Sequence, residues 1–206
     1  MRVQNAGETV RGMLALGLLA ALTLGGCGGS GSSGFEGEAA AITQAMQDGT
    51  CVVFEDNTYC GSGAPFPLDV GSGNVGFEDP SAPLTCEQVP AGTTCVTALG
   101  FTPAGFPDQT SYLAAWADTA EGPWSFAATT PGSPGGGDPD GREVMAELPT
   151  PGATEPPSPL LIAVLVYLDV VPDDVPAEAP ELRDFGADVF YVSSELEVEA
   201  KPAVGP

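Results

Sequence analysis

Four cysteines, Cys51, Cys60, Cys86 and Cys95, form two pairs, and each pair encloses eight residues. The chemistry that cysteines offer at this spacing is disulfide formation. Metal and dithiol redox sites usually bring two cysteines within a C-x-x-C step, and none is present. Four cysteines allow three connectivities. Directly opposed residues of an antiparallel hairpin enclose an even number of positions when the loop has two or four residues. That parity selects Cys51–Cys60 and Cys86–Cys95. Val89-Pro90-Ala91-Gly92 places Pro and Gly as a β-turn wants them, and Glu55-Asp56-Asn57 is turn-prone at the centre of the first loop. Closing a loop of about ten residues stabilises by roughly 2.5–3 kcal/mol in the chain-entropy account.

Other chemistry is bounded by what is missing from the sequence. There is no histidine, so Ser-His-Asp and Cys-His catalysis and imidazole-based zinc sites are excluded in their usual forms. No Gly-x-Ser-x-Gly elbow, phosphate-binding loop or dinucleotide fingerprint occurs. The expectation is a protein that is not an enzyme, with no catalytic residues and no obligatory cofactor. Asp138, Asp140 and Glu143, spaced around the turn at Gly141, are the nearest approach to a ligand set. Their hard oxygens suit calcium, although the twelve-residue EF-hand pattern is not met and an ordinary turn before a strand is the simpler reading. Asp173-Asp174 is a second loop pair of carboxylates. Tyr112, Trp116, Trp124 and Phe126 could form a platform for a glycan or a protein partner, but at strand spacing they read as core.

Near the N-terminus, the run Met13 to Leu24 is twelve residues long and uncharged, with Arg2 and Arg11 before it. It is too short for a membrane span, which needs about 20 apolar residues, and has the length of a signal-peptide core. It ends in Leu24-Gly25-Gly26-Cys27, which resembles the lipobox of bacterial lipoproteins. The resemblance implies cleavage before Cys27, diacylglycerol on its thiol and an acylated (palmitate-type) amino terminus. Two or three acyl chains anchor stably, at about 0.8 kcal/mol per buried methylene. Gly28 stands where an Asp would resemble an inner-membrane retention signal, which inclines the location towards the outer membrane of a bacterial envelope. Gly28 to Gly34 is all Gly and Ser. As flexible coil it would hold the following domain roughly 15 Å from the bilayer.

Cleavage there removes Arg2, Arg11 and Glu8. Arg142, Arg183 and Lys201 remain against 27 carboxylates. So acidic a chain argues against nucleic acid or an anionic lipid surface as partner. The expected contacts are the membrane, through the lipid anchor, and an unknown protein or glycan.

The elements that must position these residues follow from periodicity. Residues 38–47 are alanine-rich and read as a short helix stopped by Gly49. Residues 95–101, 124–130, 143–148, 160–168 and 188–198 read as strands. Residues 110–117 read as a strand, with a helix as the alternative. Leu160–Leu168 is apolar on both faces between Pro159 and Pro172, as a central strand would be. Residues 131–141 and 149–159, rich in Gly and Pro, read as long surface loops. The expected fold is mainly β, an antiparallel β-sandwich, with an immunoglobulin-like arrangement as one form of it, carrying two disulfide hairpins. The expected organisation is a signal peptide at 1–26, lipidated Cys and tether at 27–37, a helix with two hairpins at 38–97, and the sandwich at 98–206, the hairpins either separate or part of it.

One stretch carries a further resemblance. Asp48-Gly49-Thr50-Cys51-Val52-Val53-Phe54-Glu55-Asp56-Asn57-Thr58-Tyr59-Cys60-Gly61 is similar to one hairpin of the cysteine-bearing RCC1-type repeats of secreted bacterial propellers. It occurs once and lacks the Trp-Gly that follows the second cysteine there, so it implies a disulfide hairpin and no function. The expected role is a lipid-anchored structural, adhesive or binding module. The alternative is a calcium-dependent carbohydrate-binding domain or an accessory subunit of a secreted enzyme.

Overall fold

Seven consecutive apolar side chains on one strand must be buried on both faces, and burying them organises the molecule. In a computed structural model of the chain, Leu161–Tyr167 forms a strand with every residue buried. The structure describes residues 33–69, 71–78, 84–87, 95–131, 142–148 and 159–201. These belong to one compact unit that extends from Gly31 to Pro206.

The elements in chain order are helix α1 (Ser33–Asp48), β1 (Cys51–Phe54), β2 (Asn57–Gly61), β3 (Phe66–Leu68), β4 (Gly71–Phe77), β5 (Leu84–Glu87), β6 (Cys95–Ala104), β7 (Ser111–Ala117), β8 (Trp124–Pro131), β9 (Arg142–Leu148), β10 (Leu161–Tyr167), β11 (Glu178–Ala179), the 3₁₀ turn η1 (Leu182–Phe185), β12 (Val189–Val192) and β13 (Val198–Lys201). The fold is mainly β. The hydrogen-bonded path runs β1-β2-β12-β10-β7-β8-β9-β6-β4-β3, with β11 beside β8 and the β5–β13 pair joined through β6.

Period-two alternation along β10 sends Ile162, Val164 and Val166 to one core and Leu161, Ala163, Leu165 and Tyr167 to another. The first core also holds Val75 of β4, Leu99 and Phe101 of β6, Trp116 of β7 and Tyr191 of β12. Strands far apart on the path therefore share one interior, and the sheet curls to allow it. Gly63 N–H, just past β2, donates to Val75 O of β4 at 2.7 Å. Phe77 N–H donates to Ser62 Oγ at 3.2 Å, and Tyr191 Oη of β12 donates to Gly73 O of β4 at 2.9 Å. The second core lies under a cover of α1 and η1, which contribute Ala41, Ile42, Ala45, Leu182 and Phe185.

Three features depart from the sequence expectations. The sheet is mixed, because β2 runs parallel to β12 and β5 parallel to β13. Parallel neighbours need a long crossover, so no local turn signal announces them. The β1–β2 hairpin joins the sheet through that pairing, with β1 the end strand of the path. The run 188–198 divides into β12 and β13. Ser193 pairs with Ile162, and Leu196 pairs with Leu160, so β12's extension carries one extra residue there. The bulge moves the inward positions from odd (Val189, Tyr191) to even (Leu196, Val198), leaving Glu195, Glu197 and Glu199 exposed. Lastly, α1 begins at Ser33, five residues before its expected start, and takes 33–37 out of the tether. Two glycines are admitted to it by close packing. A Cβ at Gly37 would strike the Phe54 ring, and one at Gly34 would lie 2.6 Å from Arg183 Nη2. The helix ends as expected, at Gly49 with φ +59°.

Candidate functional site

A helix of this composition docks through alanines, yet one of its buried residues is an acid. Glu38 is 2% exposed, on the face of α1 that also presents Ala41, Ile42 and Ala45 to the sheet. Its Oε1 accepts the Leu182 N–H at 2.5 Å. Glu181, 5% exposed, immediately precedes η1. Its backbone is fixed from both sides: its N–H donates to Asp184 Oδ2 at 3.3 Å and its carbonyl accepts Asp184 N–H at 3.1 Å. Arg183 forms ion pairs with Glu181 and with Glu55 at the tip of the β1–β2 hairpin. The Tyr59 hydroxyl of β2 is buried against the Glu38 carboxyl.

Three carboxyl groups thus surround one guanidinium. Glu38 Oε2, Tyr59 Oη and Glu181 Oε2 are buried without an aligned hydrogen-bond partner, so Glu181 Oε2 meets Arg183 as a charge contact only. Burial, the largest cause, pushes the Glu38 carboxyl up to about 8; the Leu182 N–H opposes that rise, the adjacent Glu181 adds to it, and Arg183 opposes it. Burial, then Glu38, also drives the Tyr59 phenol well above its ordinary value. Arg183 is held more firmly protonated, chiefly by its bond to Glu55. Chemically, the cluster can store a proton and an ion pair. Of its three carboxyl groups, Glu38 and Glu181 are buried and only Glu55 is exposed.

A second concavity, a cleft of about 680 Å³, lies beside the bulge in β12's extension and is lined by Met46, Ser62, Phe77, Glu78, Ser193 and Glu195 among others. Ser193 Oγ is committed there, accepting Ile162 N–H at 3.0 Å and donating to Ser194 O at 2.8 Å.

The residues singled out by sequence fall in several places. Cys51 and Cys60 are directly opposed on β1 and β2 and form a disulfide. Cys86 and Cys95 occupy the neighbouring antiparallel strands β5 and β6, whose register pairs Glu87 with Val96, so they are not directly opposite; their side chains lie outside the described residues. Trp116 is buried in the first core and Trp124 in the second, Tyr112 is half-buried, and Phe126 is 37% exposed. Trp116 and Trp124 therefore serve opposite faces of the sheet, and the four aromatics form no common platform. Asp173 and Asp174 occupy an exposed turn. Cys27, Asp138 and Asp140 lie outside the described residues, as does the side chain of Glu143 on β9. Among the described residues no group of acidic or cysteine side chains could hold a metal ion, and no helix is long and apolar enough to cross a membrane.

The Glu38 cluster escaped the sequence reading because its partners come from helix, hairpin and turn, with Glu38 and Leu182 144 residues apart. The available signal was Arg183, one of five Lys and Arg residues in a chain so acidic. No family model, curated protein or solved structure matches this chain.

Proposed function

We propose that the chain is a bacterial lipoprotein, held on the cell envelope through Cys27 and acting as a non-enzymatic structural, adhesive or binding module. The curled sheet serves it as a β-sandwich, two facing layers around the first core. The outer membrane is the proposed location. One observation carries the mechanical part of the reading. The helix that follows the Gly/Ser run is docked on the sheet through Ala41, Ile42 and Ala45 in the second core. A pull applied at Cys27 would reach the central strands through the five residues 28–32 and then a packed helix. Envelope proteins that position a binding surface need that coupling.

The test is phase separation in detergent. The wild-type chain expressed in a bacterium should enter the detergent phase, and its N-terminal peptide should carry the mass of an acylated Cys27. Cys27→Ser should remain aqueous or unprocessed. Identical partitioning of the two would overturn the lipoprotein reading.

A further inference from the structure

Ionised, the Glu38, Glu181 and Glu55 carboxyls place three negative charges around the single positive charge of Arg183. Two of the carboxyls are almost wholly buried; Glu181 Oε2 meets Arg183 as a charge contact, while Glu38 Oε2 has no aligned hydrogen-bond partner. Two buried carboxylates beside one guanidinium, one of them with an unpartnered oxygen, are an expensive arrangement. One proton resolves it, because a protonated Glu38 becomes a donor and Glu181 is the acceptor beside it. The groups facing Glu38 are, from η1 and its cap, Glu181, the Leu182 N–H and Arg183. From β2 comes Tyr59, and Glu55 acts from the hairpin tip through Arg183.

We infer that the Glu38–Glu181 contact is a proton-dependent latch, which fastens the tether-proximal half of α1 to η1 while Glu38 is protonated and slackens when that proton leaves. The neighbourhood is built for this. Gly34, one turn before Glu38, lies so close to Glu181 and Arg183 that a Cβ there would displace the ends of both side chains. Glu181 is held in place by its bonds with Asp184. The helix end therefore sits directly on the charged cluster.

The direction with pH follows from the raised carboxyl. Glu38 is held at about 8 against an ordinary 4.5. Its contribution to docking is complete below pH 4.5 and falls as pH rises. The undocked helix then releases its proton while the docked helix keeps it. Once pH has passed about 8 the contribution is spent. The chain has no histidine, so no side chain with an ordinary pKa near 6.5 masks this window.

The experiment is backbone hydrogen exchange of the full chain at pH 5.5 and 8.5, each rate divided by its intrinsic exchange rate. In the wild type, protection over 34–42 should fall at the higher pH by up to about three-hundredfold, since each of the roughly 2.5 pH units between 5.5 and about 8 is worth at most tenfold. Glu38→Gln supplies a permanent neutral donor and should hold protection level at both pH values. If Glu38→Gln fails to dock, Glu181→Gln serves instead. Glu38 then faces a neutral partner, and the fall with pH should shrink. A wild type equally protected at both pH values overturns the latch, as does a variant that falls as steeply as the wild type.

Discussion

Glu55 and Asp56 turn the β1–β2 hairpin with φ of 48° and 69°, in the left-handed region that side chains avoid. A two-residue turn between β1 and β2 demands this, because only primed turns match the strand twist. Glu55 is compensated, since its carboxylate pairs with Arg183. Asp56 is exposed, and no described contact offsets its strain. Asp56→Gly should therefore stabilise the protein by about 0.5–1 kcal/mol, relief of strain outweighing the added freedom of the unfolded chain. A urea midpoint unchanged or lowered by the substitution would count against the turn geometry. At this scale the sequence was legible where partners are near in the chain. The eight-residue enclosure located Cys51–Cys60, and Gly49 marked the helix end. Glu38 was opaque, because nothing in an alanine-rich helix says which polar residue will face inward. Only the meeting of α1 with η1 and β2 decides it.

Elements were legible where their periodicity serves a single requirement. Residues 160–168 read as a central strand, and β10 is that strand, flanked by β12 and β7 with register from Leu161↔Ala117 to Tyr167↔Ser111. The clean alternation at 195–199 reappears as exposed glutamates around buried Leu196 and Val198. β4 was missed because Gly71-Ser-Gly-Asn-Val-Gly-Phe77 has neither β-branched density nor alternation. It becomes a strand through its antiparallel partners β3 and β6. The parallel β2–β12 pair was equally invisible, as its members lie over 130 residues apart. Val164 sits at the middle of β10, wholly buried in the first core opposite Ala114 and Tyr191. Val164→Asp would place a carboxylate in a core of apolar side chains. It should destabilise by about 4 kcal/mol or more, or hold the new acid protonated. Urea unfolding followed by tryptophan fluorescence measures it, Trp116 and Trp124 being buried reporters. A midpoint equal to that of the wild type would remove β10 from the centre of the fold.

At the scale of the molecule, net charge opposes everything the cores supply. The whole chain carries −23 at pH 7, and after the cleavage expected before Cys27 it would keep three basic residues. Arg183 is spent between Glu55 and Glu181, and Arg142 lies 5.2 Å from the Tyr112 ring centroid. Most carboxylates are exposed, including Glu195, Glu197 and Glu199 along one wet edge. Each is individually cheap, but folding concentrates them on a surface smaller than that of the unfolded chain, and their mutual repulsion disfavours the compact state. Salt relieves this, since the screening length falls from about 30 Å at 0.01 M to about 3 Å at 1 M. Among the described residues the ion pairs salt would weaken are those of Arg183, which are partly buried, so relief should win. We expect the melting midpoint at pH 7 to rise by several degrees between 0.01 and 1 M sodium chloride, about 2–4 °C for each kcal/mol of repulsion removed. Chloride is the right anion, because sulfate stabilises folded proteins by exclusion whatever their charge. A midpoint that stays level or falls would mean that the acidic surface is neutralised by contacts in the folded state, and that the charge is a working part of the fold rather than a load upon it.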